Sequence, residues 1–375
     1  MLETIFWVSL LGAIYSYFLY PVLLQLMPRR PKTSNVQDDH NPRISLIVTA
    51  HNEAKRIREK IENCLAVDYS NIEIIVASDA STDGTDEIVQ EYAARGVSVA
   101  RANERKGKEY AQLQAINKAD GEILVFSDVA TRIPEDALEK LSVYFMDPAV
   151  GAVSSEDRFL TRDGKVVGEG AYVRYEMWLR RLESERAGLV GLSGSFFAAR
   201  KEVCQNWDIA SPSDFNTALN CASGGYVAVT APDVHGYYQD VADKKKEYER
   251  KLRTIIRGLT ALERHPEVLN PFQYGWFTFQ VISHKVLRWS VPWFLLLLFI
   301  TTLMMNHQGG IYSLALLAQI IFYGVVGIGY LRPALQSSHF VKIPLFFVQV
   351  NVAIAHATLR FLSGTRMTVW TPSQR

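Results

Sequence analysis

Two aspartates close strand-like runs within one stretch of the chain: Ile-Ile-Val-Ala-Ser-Asp79-Ala-Ser-Thr-Asp83-Gly84-Thr85 and Ile-Leu-Val-Phe-Ser-Asp128-Val-Ala-Thr131. In each, a short β-branched run is followed at once by an acid, which places that acid at the carboxyl edge of a buried parallel strand. Open α/β sheets bind ligands at that edge. Carboxylates gathered there suit the hydroxyls of a ribose and a divalent cation bridging phosphates. Between the two runs, Arg105, Lys106 and Lys108 flank a glycine just before a helix-forming segment. Cations beside a helix N-terminus favour a pyrophosphate, although a solvated basic turn would use the same residues.

The elements that must position these groups follow from the periodicity. From residue 44 the pattern alternates as βα units do. Strands are expected at 44–50, 72–78, 97–101 and 123–127, and helices at 53–66, 84–94, 108–118 and 134–145. Four parallel strands with crossover helices make a nucleotide-binding half-sheet. The second half is less regular, with strands expected near 151–155, 196–199 and 226–230 and a helix near 172–185. A basic, helix-prone stretch spans 244–265. The aromatic segment 272–289, carrying His284, Lys285 and Arg288, fits a helix lying at a membrane interface.

Composition narrows the setting. Over 375 residues, 40 Lys+Arg nearly cancel 39 Asp+Glu, so global charge gives no argument for nucleic acid. Cys64, Cys204 and Cys221 form no CxxC, and an odd number cannot pair completely, which points to a reduced compartment. The run 5–27 is apolar and long enough to span a bilayer, with Arg29, Arg30 and Lys32 directly after it. A cleaved signal peptide would carry its positive charge before the apolar run, so a retained anchor is expected, with the chain after Pro28 in the cytosol. Three further apolar stretches lie at 291–305, 311–331 and 344–362. Strict alternation would leave Arg366 and Arg375 outside, against the charge rule, so either the last stretch is interfacial or the count of spans differs. The expected order is an anchor at 1–28, a linker at 29–43, a cytosolic α/β domain at 44–270, an interface helix at 271–290 and a membrane region at 291–375.

Four landmarks in sequence order carry a resemblance: Ile-Val-Thr49-Ala-His-Asn52-Glu53, then Asp79-Ala-Ser-Thr-Asp83-Gly-Thr, then Phe-Ser-Asp128-Val-Ala-Thr131, then Ser213-Asp214 with a downstream Gly-Tyr226-Val. Together they resemble the membrane-bound family 2 glycosyltransferases of bacterial polysaccharide assembly, over roughly residues 43–290. The resemblance implies a GT-A-like fold and an inverting transfer of a sugar from a nucleotide-diphospho-sugar, UDP-linked in the first instance. The implied acceptor is a lipid-linked saccharide or growing polysaccharide at the inner membrane. Membrane lipid and other polysaccharide-assembly proteins are the further partners it implies.

Residue by residue, Thr49, Asn52 and Glu53 end the first strand, where they could hold the base or ribose or serve as a helix cap. Asp79 matches the family's nucleoside-binding aspartate. Asp83 fits the same site or a turn and cap. Lys108 matches the family's Gly-Lys pair. Asp128 matches the first acid of the metal-binding Asp-x-Asp, but Ala130 stands where the second acid would be. Mg²⁺ or Mn²⁺ is the implied cofactor, with His235 as a candidate further ligand. Asp214 matches the family's general base, with Ser213 in place of a preceding acid; Asp208 and Asp157 are the nearest alternatives. Arg250 and Arg253 lie where processive synthases carry Gln-x-x-Arg-Trp, which is absent here. They either cover the diphosphate or meet solvent and lipid headgroups. Two other readings stay open, a sugar nucleotidyltransferase and a nucleotide-binding membrane scaffold that has lost catalysis.

Overall fold

The computed structural model describes residues 1–31, 40–160, 170–239 and 244–367. Most of the expected linker and Arg375 lie outside these residues. Seven strands form one sheet: β1 Ile44–Ala50, β2 Ile72–Ser78, β3 Val97–Arg101, β4 Ile123–Asp128, β5 Val150–Leu160, β6 Phe196–Arg200 and β7 Val227–Gln239. Their order is β3-β2-β1-β4-β6-β5-β7. The first four run parallel, as the βα pattern requires. β6 runs antiparallel to both β4 and β5, while β5 and β7 pair in parallel.

β1 is buried along its whole length, and that is why it is mostly apolar, with only Ser45 and Thr49 polar. One face of the sheet packs against Ile57, Ile61, Leu138 and Leu141, and the other against Ala111, Ala115, Ala218 and Cys221. The three cysteines are free and buried.

Several bounds differ from expectation. The first helix is Ile57–Leu65, because residues 52–56 form the turn that closes β1: Asn52 has φ 53°, and the Glu53 amide donates to Thr85 Oγ1 at 2.8 Å. β5 and β7 run several residues past the expected strands, through Glu156-Asp157-Arg158 and Pro232-Asp233, with register shifts that absorb the irregularity.

The chain divides into two compact units. One comprises Met1–Leu26, Glu247–Leu259 and Val281–Thr365; the other comprises Met27–Lys246, Thr260–Gln280 and Arg366–Arg375. Among the described residues, four helices are long and apolar enough to cross a membrane: Leu2–Leu26, Trp276–Gln308, Gly310–Leu331 and His339–Leu362. The separate interface helix expected at 271–290 is not formed. A short helix, Pro271–Tyr274, ends at Gly275, and the helical run that follows continues to Gln308 through a π-helical turn at Ile282–Val286.

Candidate active site

The carboxyl ends of β1, β2 and β4 gather the residues singled out in the sequence. Asp79 follows β2 and is fully buried. Its carboxylate accepts from the amides of Lys106 (3.1 Å) and Gly107 (3.0 Å), so it holds the turn that delivers Lys108. Gly107 has φ 103°, a conformation other residues rarely adopt. Asn52 Oδ1 accepts from the Thr82 amide at 2.8 Å, tying the β1 and β2 loops together. Asp83 accepts from the amides of Ala54 and Thr85. Burial pushes its carboxyl up, but the Thr85 hydroxyl and these amides outweigh burial and hold it below the ordinary aspartate value. The Glu53 carboxylate is gripped by Arg56 through two nitrogens. Thr49 pairs with Asp128 in the β1–β4 register, and its buried Oγ1 has no hydrogen-bond partner among the described residues.

Asp128 ends β4. Lys108 reaches it from the first residue of helix Lys108–Lys118, with Nζ 2.6 Å from Asp128 Oδ1 and 2.8 Å from the carbonyl oxygen of Gly194. The Asp128 amide in turn donates to Ser195 O at 3.0 Å. The other face of Gly194 receives Asp214, from the start of helix Ser213–Ser223. A Cβ on Gly194 would lie 3.1 Å from Asp214 Oδ2. Oδ1 of Asp214 accepts from the Phe215 amide, and its carbonyl accepts from Leu192 N. Asp128, Lys108, Gly194 and Asp214 therefore form one continuous row of contacts.

Both alternatives to Asp214 also have hydrogen-bond partners. Asp157 Oδ1 accepts the hydroxyls of Ser193 and Ser195, each at 2.6 Å, and so shapes the loop around Gly194. Asp208 is held by Arg264 at 2.6 and 2.9 Å.

A divalent cation at Asp128 fits one protein ligand. Asp128 Oδ2 has no hydrogen bond among the described residues, and the side chain keeps 27% exposure. Mg²⁺ and Mn²⁺ accept such a set when diphosphate oxygens and waters fill the remaining positions. No three His, Cys, Asp or Glu side chains converge among the described residues. His235 pairs with Glu156 across β5 and β7, and the charged side chains that act on it are Arg158, Glu156, Lys140 and Asp233. Burial, more than those charges, holds its imidazole below the ordinary histidine value. Arg250 and Arg253 belong to the unit that contains the apolar helices, where Arg250 pairs with Glu247 at 2.7 Å.

The sequence reading missed Lys60 and Asn63. Both project from helix Ile57–Leu65 onto the turn after Asp128, Lys60 bonding to Ser127 and Thr131 and Asn63 to Ile133. A signal was present, because Lys60 lies within the apolar stripe Ile57, Ile61, Cys64. A cavity of about 980 Å³ opens on this side of the turn, lined among others by Lys60, Ala130, Arg132 and Tyr237.

A mostly parallel sheet with carboxylates and a lysine at its carboxyl edge, extended by one antiparallel strand, defines a GT-A-like domain. Residues 45–207 match the model of glycosyl transferase family 2. It is similar to poly-beta-1,6-N-acetyl-D-glucosamine synthase of Staphylococcus aureus strain COL, 26% identical over 213 residues, 55% of this chain and 50% of the relative. The enzyme of that name from Staphylococcus epidermidis is 24% identical over 219 residues. The chain spans about half the length of these curated relatives. Among solved structures, the mannosyltransferase PcManGT of Pyrobaculum calidifontis, in complex with GDP-Man and Mn²⁺, shares the fold. Its TM-score is 0.75 at 24% identity, covering 98% of this chain and 100% of that one.

Proposed function

We propose that this chain is an inverting glycosyltransferase that moves a sugar from a nucleotide-diphospho-sugar, UDP-linked in the first instance, to a lipid-linked saccharide or growing polysaccharide. The row of contacts from Asp128 through Lys108 and Gly194 to Asp214 carries this reading. It sets a carboxylate–ammonium pair suited to a diphosphate beside a second carboxylate suited to an acceptor hydroxyl.

Asp214 takes the proton of the acceptor hydroxyl as its oxygen attacks the anomeric carbon and the bond from that carbon to the diphosphate breaks. Geometry matters more than basicity here, because the proton leaves late. The Lys108 ammonium meets the charge that develops on the departing diphosphate. Asp79 serves indirectly by fixing the Lys106–Gly107 turn. A Mg²⁺ or Mn²⁺ ion held by Asp128 and the phosphates would neutralise further charge on the leaving group. The four apolar helices would anchor the domain, roughly residues 44–270, at the cytosolic face of the inner membrane.

The test is release of nucleoside diphosphate by purified full-length protein. A panel of UDP- and GDP-sugars is supplied with an N-acetylglucosamine oligomer, in Mn²⁺ and in EDTA. Donor-dependent release that Asp214→Asn abolishes supports the reading. No release or transfer from any donor with any divalent metal would instead favour the scaffold.

A further inference from the structure

Lys60 is a buried cation that the mechanism above does not use. It is 3% exposed, and its Nζ donates to Ser127 Oγ at 2.8 Å and to the Thr131 carbonyl. Ser127 immediately precedes Asp128, and the Thr131 amide donates back to Asp128 O at 3.1 Å. Lys60 thus ties together the two sides of the turn that carries Asp128.

That turn is already anchored without a charge. Asn63 bonds both the amide (2.9 Å) and the carbonyl (2.8 Å) of Ile133. The Arg132 backbone pairs with Tyr237 in both directions, at 2.7 and 3.0 Å. Burying an ammonium is costly unless nearby groups offset it. Burial lowers the Lys60 pKa, and the carboxylate acting against that shift is Asp128. Asp128 also receives Lys108 at 2.6 Å, while Ala130 occupies the place of a second acid. Lys60 and Lys108 thus both serve the Asp128 strand end, where a two-acid site would place another carboxylate.

We propose that Lys60 is a positioning residue for the donor's diphosphate: its ammonium fixes the Asp128–Ile133 turn and, with Lys108, makes the strand end attractive to the phosphates. This rests on the nucleotide-sugar reading above and deepens it. Lys60 acts through Asp128 and through its field, which strengthens as water is excluded from the site.

The experiment uses full-length wild type and Lys60→Met, binding UDP and GDP in Mn²⁺ by calorimetry. The corresponding nucleosides are measured by competition. For the tighter diphosphate, Lys60→Met is expected to weaken binding about tenfold or more, the scale of one lost charge interaction in a partly buried site. Nucleoside affinity is expected to stay within about twofold, since no charge is involved. Asn63→Ala, which loosens the turn without removing a charge, should change diphosphate and nucleoside by the same factor. A Lys60→Met protein that keeps wild-type diphosphate affinity overturns the proposal. So does a variant that loses diphosphate and nucleoside equally, because that pattern marks a structural strut alone. If Lys60→Met does not fold, Lys60→Gln, which retains a donor without the charge, carries the same readouts. Wild type that binds neither UDP nor GDP rejects the nucleotide-sugar reading itself, a result distinct from wild type and variant binding alike.

Discussion

The ammonium of Lys108 sits 2.6 Å from Asp128 Oδ1, with side-chain exposures of 8% and 27%, so a nearly buried cation and a half-open carboxylate share one strand edge. Removing either partner leaves the other uncompensated at the place where a diphosphate would bind. Lys108→Met and Asp128→Asn are each expected to lower kcat/KM by about a hundredfold or more. The double variant should cost clearly less than the product of the two, because the residues act as a unit. Steady-state donor kinetics on the four proteins check this; independent, multiplicative losses would refute the pairing.

Asp214 is expected to separate chemistry from binding. Its Oδ1 accepts from the Phe215 amide, a bond that asparagine retains, so Asp214→Asn should fold normally. Transfer should fall by about 10² to 10⁴ while nucleoside diphosphate affinity changes little. Equal losses in both would move the base elsewhere.

Gly194 tests how closely the two carboxylate sites are coupled. An added Cβ would meet Asp214 Oδ2 at 3.1 Å, close enough to push the carboxylate by a few tenths of an ångström. Gly194→Ala should lower kcat by about tenfold to a hundredfold, with little change in melting temperature. Gly96 is the opposite case, with φ +83° and open space around the missing Cβ. Gly96→Ala should cost about 1–2 kcal/mol of stability through backbone strain and leave the kinetics alone.

Asp208 predicts a pH effect remote from the chemistry. Burial raises its pKa, but the Arg264 and Ser211 hydrogen bonds and the Ala210 amide outweigh burial and hold it below the ordinary aspartate value. A depressed folded-state pKa stabilises the fold above the unfolded value, and that contribution is lost as pH falls through the folded one. With half of Arg264 in solvent, Asp208→Asn should cost only about 1–2 kcal/mol near neutrality. The gap between variant and wild type should close below roughly pH 4. Thermal melts from pH 7 to pH 3 measure it, and a gap that persists in acid would exclude the charge as its cause.

Much of the first half was legible in the sequence because buried parallel strands are rich in Ile and Val. β1, β2 and β3 have the bounds expected, and β4 ends one residue later, at Asp128 itself. The helix behind Lys108 was equally plain, since Gly107 marks its start. The clamp on the Asp128 turn was not legible. Lys60 stands out as a cation in an apolar stripe, but its partners lie 67 and 71 residues away and only the tertiary fold supplies them. The outer parts of β5 and β7 were hidden because charged residues and Pro232 interrupt the alternation that marks a strand. β7 likewise continues through His235, just past the expected strand end, and pairs it with Glu156.

The reversed direction of β6 has a practical consequence for redesign. Because β6 runs against β4, its first residues rather than its last lie beside Asp128, and Phe196 pairs with Ser127. The loop leading into β6 and the helix that carries Asp214 are thus delivered to the Asp128 edge by chain that lies outside the parallel half-sheet. Exchanging residues 187–225 for those of a relative would therefore replace this loop and helix and leave β1 to β4 in place, with Gly194 and Ser195 as the seam to preserve.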